Sequence, residues 1–198
     1  MMHFKLFKNI DSFIRYLFSQ IFSLFLIILF IPIFTLISIL IFFIDGKPIF
    51  YSSVRSGFLG KQFKLYKFRT MTERNLRDEL RITKLGKILR RSSLDELPQL
   101  FNILRGEMVF VGPRPLPFET VYGNKYKRFF FKRSSVKPGL TGLSQAFSRG
   151  LPRKYSDKLV YDLMYIKKKS ILFDLIIILM TFVALRRRFV FNKSGKSL

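Results

Sequence analysis

Asp95 and Glu96 stand side by side in Arg90-Arg91-Ser92-Ser93-Leu94-Asp95-Glu96-Leu97-Pro98-Gln99-Leu100, and little else in this chain can do chemistry at neutral pH. The 198 residues contain no Cys, and the one His is His3, beside the terminus. A general base or nucleophile must then be a carboxylate, a Lys, a Tyr or a hydroxyl. Carboxylates are scarce: 12 Asp and Glu face 36 Lys and Arg, for a formal net charge of +24. Such a pair is suited to holding a divalent cation. A structural role competes with this one. Ser93-x-x-Glu96 matches a capping box, although Pro98 would then leave the Leu94 carbonyl without its helical bond. With Asp95 as N-cap, Pro98 falls in the first turn, where no donor is missed. Either version sets the pair at a helix N-terminus, where the dipole favours anions. On these residues alone, capping is the simpler role.

The cations change the balance. Lys67, Arg69, Arg90, Arg91 and Arg114 all fall near the ends of predicted elements. Arg114 lies in Gly112-Pro113-Arg114-Pro115, where two prolines fix the backbone and hold one guanidinium ready for a phosphate. Lys137-Pro138-Gly139-Leu140-Thr141-Gly142 offers glycine amides and a Lys, a weak anion-binding pattern. Carboxylates for a cation and several phosphate-seeking side chains describe phosphoryl chemistry, with Mg²⁺ as the natural metal.

Composition says where that chemistry takes place. A pI near 10.7 calls for a polyanionic partner. Soluble nucleic-acid binders are seldom 49% hydrophobic with 25 Phe, so the membrane surface is favoured over nucleic acid. From Tyr16 to Ile44 there is no charged residue, more than the roughly 20 apolar residues a bilayer requires. The run is too long for a secretory signal and has no small-residue cleavage site before Asp45. Pro32 sits near its middle. A kinked spanning helix and a re-entrant helix–break–helix are both open. Lys5, Lys8 and Arg15 before the run and a basic body after it favour the re-entrant form.

These signals divide the chain into a membrane-embedded segment, 1–45, and a catalytic domain, 46–198. The fold class expected is α/β, mostly helical, in a monotopic membrane protein. Residues 47–70 read as a β-hairpin with Gly57 and Gly60 in its turn. Residues 72–81 read as helix or loop, 83–105 as helical, 109–117 as extended, 138–152 as loop, and 154–168 as an amphipathic helix. The apolar stretch 171–185 contains Asp174, is short for a span, and is bracketed by Lys167-Lys168-Lys169 and Arg186-Arg187-Arg188. A helix lying in the headgroup plane accounts for all three features, with a buried core helix as the alternative.

Ser92 to Met108, followed by Phe110-Val111-Gly112-Pro113-Arg114-Pro115, resembles the signature of the bacterial sugar transferases, monotopic polyprenyl-phosphate phosphoglycosyl transferases. Tyr66-Lys67-Phe68-Arg69-Thr70-Met71 and Pro138-Gly139-Leu140-Thr141-Gly142 match further landmarks in order, so the resemblance covers nearly the whole chain. It implies transfer of a sugar-1-phosphate from a UDP-sugar to undecaprenyl phosphate with Mg²⁺, through a covalent phospho-aspartate, releasing UMP. It implies Asp95 as nucleophile and metal partner and Glu96 as its neighbour in the dyad. Lys67, Arg90, Arg114 and Asp162 fall on family positions near the active site. It also implies a helix broken at proline and, with no large membrane domain ahead of the core, the minimal catalytic form.

The partners expected are the UDP-sugar, undecaprenyl phosphate and anionic membrane lipids, with a homodimer allowed and no nucleic acid. The expected location is the cytoplasmic face of the bacterial inner membrane. Arg90, Arg91 and the helix N-terminus are expected to keep Asp95 ionised. The chain departs from the family pattern at Ile31, where a Ser usually precedes the proline, at Glu107 and Val109, and within Leu143–Arg149, where Gln145 and Arg149 keep the usual residues. The last departure bears on nucleotide and sugar recognition. The rival reading is a non-catalytic basic protein on the membrane surface that binds anionic lipid or nucleic acid.

Overall fold

The computed structural model describes residues 2–72, 81–118, 127–148 and 155–191. Helix α1 (Met2–Leu29) ends at Phe30, and α2 (Ile31–Leu40) runs on into a π-helical turn, Ile41–Asp45. Pro32 lies in the first turn of α2, where its missing N–H forfeits no helical bond. The chain bends by 60° between the two arms. Among the described residues no single helix is long and apolar enough to cross a membrane, whereas Phe13–Leu29 with Ile31–Asp45 passes that test as a bent pair. The inner side of the elbow is packed. Leu26, Ile27, Phe30 and Phe34 lie against a core of Phe63, Leu65, Leu100, Ile103 and Met108. Its outer side shows Phe18, Ile21, Phe25, Ile28 and Phe43 to the surroundings, a continuous apolar face of the kind that meets lipid or another chain.

The expected hairpin is present. β1 (Phe50–Ser56) pairs antiparallel with β2 (Gln62–Phe68), from Phe50↔Phe68 to Ser56↔Gln62. Helix α3 (Lys84–Ser92) follows, with the Thr83 hydroxyl accepting from the Gly86 N–H at 2.8 Å as its N-cap. After a short 3₁₀ turn, Leu94–Glu96, comes α4 (Gln99–Leu104). Strands β3 (Val109–Val111) and β4 (Leu116–Pro117) frame the two-proline turn, and β4 joins the edge of β1. Helix α5 (Lys127–Arg133) leads to β5 (Gly139–Thr141), which runs parallel to β3. Helices α6 (Leu143–Ser148), α7 (Tyr155–Lys168) and α8 (Ile171–Phe191) complete the described chain. It is mostly helical with a small sheet, as expected.

Three expectations are corrected. Residues 83–105 are not one helix, because Ser93 adopts a left-handed backbone (φ 59°) that ends α3. The stretch 138–152 is not a plain loop, since it holds β5 and α6. The C-terminal apolar stretch is neither wholly interfacial nor wholly buried. Ile177 and Thr181 pack inward while Leu172, Leu179 and Phe182 stay exposed. Asp174, the residue that argued against a span, forms an ion pair with Arg15 of α1, so the two charges offset each other where α1 meets α8. The Tyr165 hydroxyl accepts from Arg15 at 2.7 Å and lies 2.9 Å from both Asp174 Oδ1 and the Val111 carbonyl, joining α7 to the same junction. Most of 72–81 lies outside the described residues.

Candidate active site

The dyad sits where the chain changes direction. The Ser93 N–H bonds the Arg90 carbonyl at 3.3 Å, and its left-handed backbone turns the chain out of α3. Positive φ in a non-glycine residue is uncommon and gathers at functional sites. The next three residues form the 3₁₀ turn. There the Leu94 carbonyl, which Pro98 would orphan in a continuous helix, accepts from the Leu97 N–H at 3.2 Å. The proline is thus accommodated by breaking the helix. Neither expected capping arrangement forms: Ser93 makes no side-chain cap bond, and Pro98 is the N-cap residue of α4.

Asp95 is buried, with Lys67 Nζ 3.8 Å from its Oδ2. Glu96 accepts from the same ammonium at 2.7 Å and from Arg114 Nη2 at 3.4 Å. Lys67 comes from β2, the dyad from the turn after α3, and Arg114 from the two-proline turn. Three elements distant in sequence therefore supply one charge cluster. Arg90 donates from Nε to Thr70 Oγ1 at 2.8 Å, and its charge, like those of Lys67 and Arg114, acts on Asp95. The three cations do not act alone on the Asp95 carboxyl. Burial pushes its carboxyl up, and the pull of Lys67 does not fully offset that desolvation.

Other residues named from the sequence lie elsewhere. Arg69 is buried and donates to the carbonyls of Asp45 and Gly46, clamping the end of the bent α1–α2 pair to β2; the Asp45 contact is 2.6 Å. Asp162 is buried on α7 and paired through Oδ2 with Arg133 Nε at 2.6 Å. The glycine loop is a backbone joint. Gly112 N donates to the Thr141 carbonyl at 2.9 Å, and Gly139 N to the Pro113 carbonyl at 3.0 Å. A Cβ on Gly142 would lie 2.1 Å from the Gly112 carbonyl oxygen. These glycines let two stretches of backbone approach closely, so the structure gives them a packing role.

Two residues escaped the sequence reading. Asn102 is fully buried. It donates to the Lys64 carbonyl at 2.7 Å and to Glu107 Oε2 at 2.6 Å, and accepts from the Tyr66 N–H at 3.1 Å. It fixes α4, and with it the dyad, to the strand that carries Lys67. Arg133 is the other; nothing in Lys127–Arg133 distinguishes it from its basic neighbours.

Among the described residues no group of three or more His, Cys, Asp or Glu could hold a metal. The dyad fits Mg²⁺ in one way only, as a partial ligand set of one or two carboxylates completed by water and substrate phosphate oxygens. Beside it opens an apolar cavity of about 740 Å³. Glu96, Leu97 and Leu100 line it near the dyad, with Phe22 of α1 and Ile178 and Phe182 of α8 on its other walls. A charge cluster of Lys67, Asp95, Glu96 and Arg114 thus meets an apolar cavity at Glu96.

A family model described as bacterial sugar transferase matches residues 10–188. The chain is 42% identical over 142 residues to the uncharacterized sugar transferase EpsL of Bacillus subtilis, covering 69% of each chain. It is 38% identical over 181 residues to the exopolysaccharide production protein ExoY of Rhizobium meliloti, covering 80% of this chain and 79% of the relative. Against a UDP-glucose:undecaprenyl-phosphate glucose-1-phosphate transferase of Klebsiella pneumoniae the identity is 41% over 149 residues. That match covers 68% of this chain and 32% of the longer relative.

Proposed function

The chain belongs to the bacterial sugar transferase family, and on that premise we propose that it moves a sugar-1-phosphate from a UDP-sugar to undecaprenyl phosphate at the cytoplasmic face of the inner membrane, starting a glycan such as an exopolysaccharide. The carrying observation is the buried Asp95, ringed by Lys67, Glu96 and Arg114 at the mouth of an apolar cavity. Relatives named for glucose-1-phosphate transfer to undecaprenyl phosphate support the choice of donor and acceptor.

In this reading an Asp95 oxygen attacks the phosphorus that bears the sugar. The P–O–P bond breaks and UMP leaves with the electron pair. A phosphate oxygen of undecaprenyl phosphate then attacks the same phosphorus, the bond to Asp95 breaks, and the carboxylate is regenerated. An anion attacking an anionic diphosphate must overcome repulsion, and Lys67 and Arg114 stand where they offset it. Mg²⁺, held by Asp95 with Glu96 beside it, would supply further charge neutralisation to the phosphates. Arg90 steadies the Thr70 side of the site. The polyprenyl chain takes the apolar cavity, and the exposed faces of α1, α2 and α8 contact lipid.

A panel of UDP-sugars, each scored by UMP release with undecaprenyl phosphate as acceptor in detergent, tests the reaction. UMP release with one or a few donors is expected. No release from any donor, with tight salt-sensitive binding to phosphate polymers instead, would favour the non-catalytic surface protein.

The bent α1–α2 pair is read as re-entrant, with both flanks on the basic, cytoplasmic side. Single cysteines at positions 3 and 196, labelled from one side of sealed vesicles, are expected to react from the same side. Labelling from opposite sides would make the pair a kinked span.

A further inference from the structure

Arg114 poses a question of support. Its side chain is 47% exposed, yet its guanidinium reaches Glu96. An exposed Arg on a turn ordinarily keeps much of its rotamer freedom and loses entropy when it engages a ligand. Around this one, the backbone is held from both sides. Gly112 and Pro113 are bonded to β5. The carbonyl of Arg114 itself accepts from Arg133 Nη2, while Nε of the same guanidinium holds Asp162.

We infer that Arg133 and Asp162 are positioning residues that set Arg114 against the dyad for the donor diphosphate, an inference resting on the transferase reading above. The Arg133–Asp162 pair is buried, with side chains 10% and 5% exposed. Two charges taken out of water persist only when they satisfy each other and further polar groups. The planar fork of Arg133 does this by spanning a carboxylate on α7 and a carbonyl in the two-proline turn. Lys, a point donor on a flexible stem, cannot bridge both in one fixed geometry. Asp162 therefore does not meet phosphate. Its Oδ1 is buried without a hydrogen-bond partner among the described residues, and its charge would repel a diphosphate.

The test uses the full chain in detergent, with Arg133→Lys, Asp162→Asn and Arg114→Ala made singly and in pairs. UMP release gives kcat and KM for the best UDP-sugar, and calorimetric titration with UDP gives affinity without turnover. Arg133→Lys and Asp162→Asn are each expected to lower kcat/KM on the order of tenfold to a hundredfold, the scale of a lost charge-assisted bond. In the Arg114→Ala background neither should lower it further, because the side chain they position is gone. A merely structural role would lower both backgrounds alike, so multiplying losses overturn the inference, as would wild-type kcat/KM in both single variants. Arg133→Lys keeps the charge and carries the comparison alone should Asp162→Asn fail to fold. A chain that binds UDP with this coupling but releases no UMP would refute the transferase reading and leave the positioning role standing.

Discussion

Asp95→Asn is expected to reduce sugar-1-phosphate transfer by at least about a thousandfold, the scale seen when a covalent nucleophile is removed, while leaving the protein as stable as the wild type or more so. The two halves of this expectation have one cause. Asp95 is buried, and desolvation lifts its carboxyl above its ordinary value despite Lys67, Arg90 and Arg114. An acid whose folded pKa is raised stabilises the fold only while protonated. That contribution is present below the unfolded pKa and is lost as pH rises through the folded one. At neutral pH the native state thus carries the burial of an ionised carboxylate, and Asn removes it. Thermal unfolding in detergent should place the variant's Tm at or above the wild-type Tm at pH 7, with the advantage shrinking toward acid pH. Substantial residual turnover would remove Asp95 as nucleophile. A clear drop in Tm would mean that its ion pairs outweigh its burial.

That behaviour explains why the dyad was legible from sequence. Adjacent carboxylates in a chain so short of them are costly to place next to each other, and a structural cap needs only one. Legibility stopped at the backbone. Leu89, Leu97 and Leu100 keep helical spacing through the break at Ser93, so apolar periodicity runs straight across it. The one local signal was Pro98, which would have left the Leu94 carbonyl unbonded; the 3₁₀ turn meets that need within the segment. The hairpin was readable because its strands are aromatic-rich and partly alternating and its turn carries glycine, all within about twenty residues. β5, and its pairing with β3, stayed hidden for the opposite reason. The two strands are short and parallel, and their pairing spans some thirty residues of intervening chain, beyond the reach of any local pattern.

The cations illustrate a different limit. Lys67, Arg69, Arg90 and Arg114 look alike in sequence, as basic residues near element ends. Lys67 and Arg114 touch Glu96, and Arg90 acts on Asp95 from Thr70. Arg69 turns instead to the end of the bent helix pair. Residue type does not separate these roles, because a guanidinium serves a carbonyl as well as a carboxylate. Arg133 was overlooked for the same reason. It matters through a carbonyl and a buried partner that only the tertiary fold brings to it.

Gly139→Ala is expected to be the most damaging of the conservative substitutions, lowering stability by about 3 kcal/mol or more and transfer along with it. The added Cβ would stand 2.1 Å from the Gly112 nitrogen, 2.4 Å from the Thr141 oxygen and 2.7 Å from the Gly112 Cα. All three are backbone atoms, so no side-chain rotation relieves the clash. The β3–β5 ladder must open, and with it go the bonds that hold Gly112 and Pro113. Arg114 would lose one of its two supports, so Glu96 would lose a cation and activity should fall further than instability alone explains. Denaturant unfolding and UMP release, measured below the variant's Tm, separate the two effects. The anion-loop alternative predicts the reverse pattern, in which Ala blocks nucleotide approach to the glycine amides while the fold stands. An unchanged Tm with lost UDP affinity would return the loop to that role. A lowered Tm, with UDP affinity falling only as far as the Arg114 contact accounts for, is what a glycine selected for backbone contact must give.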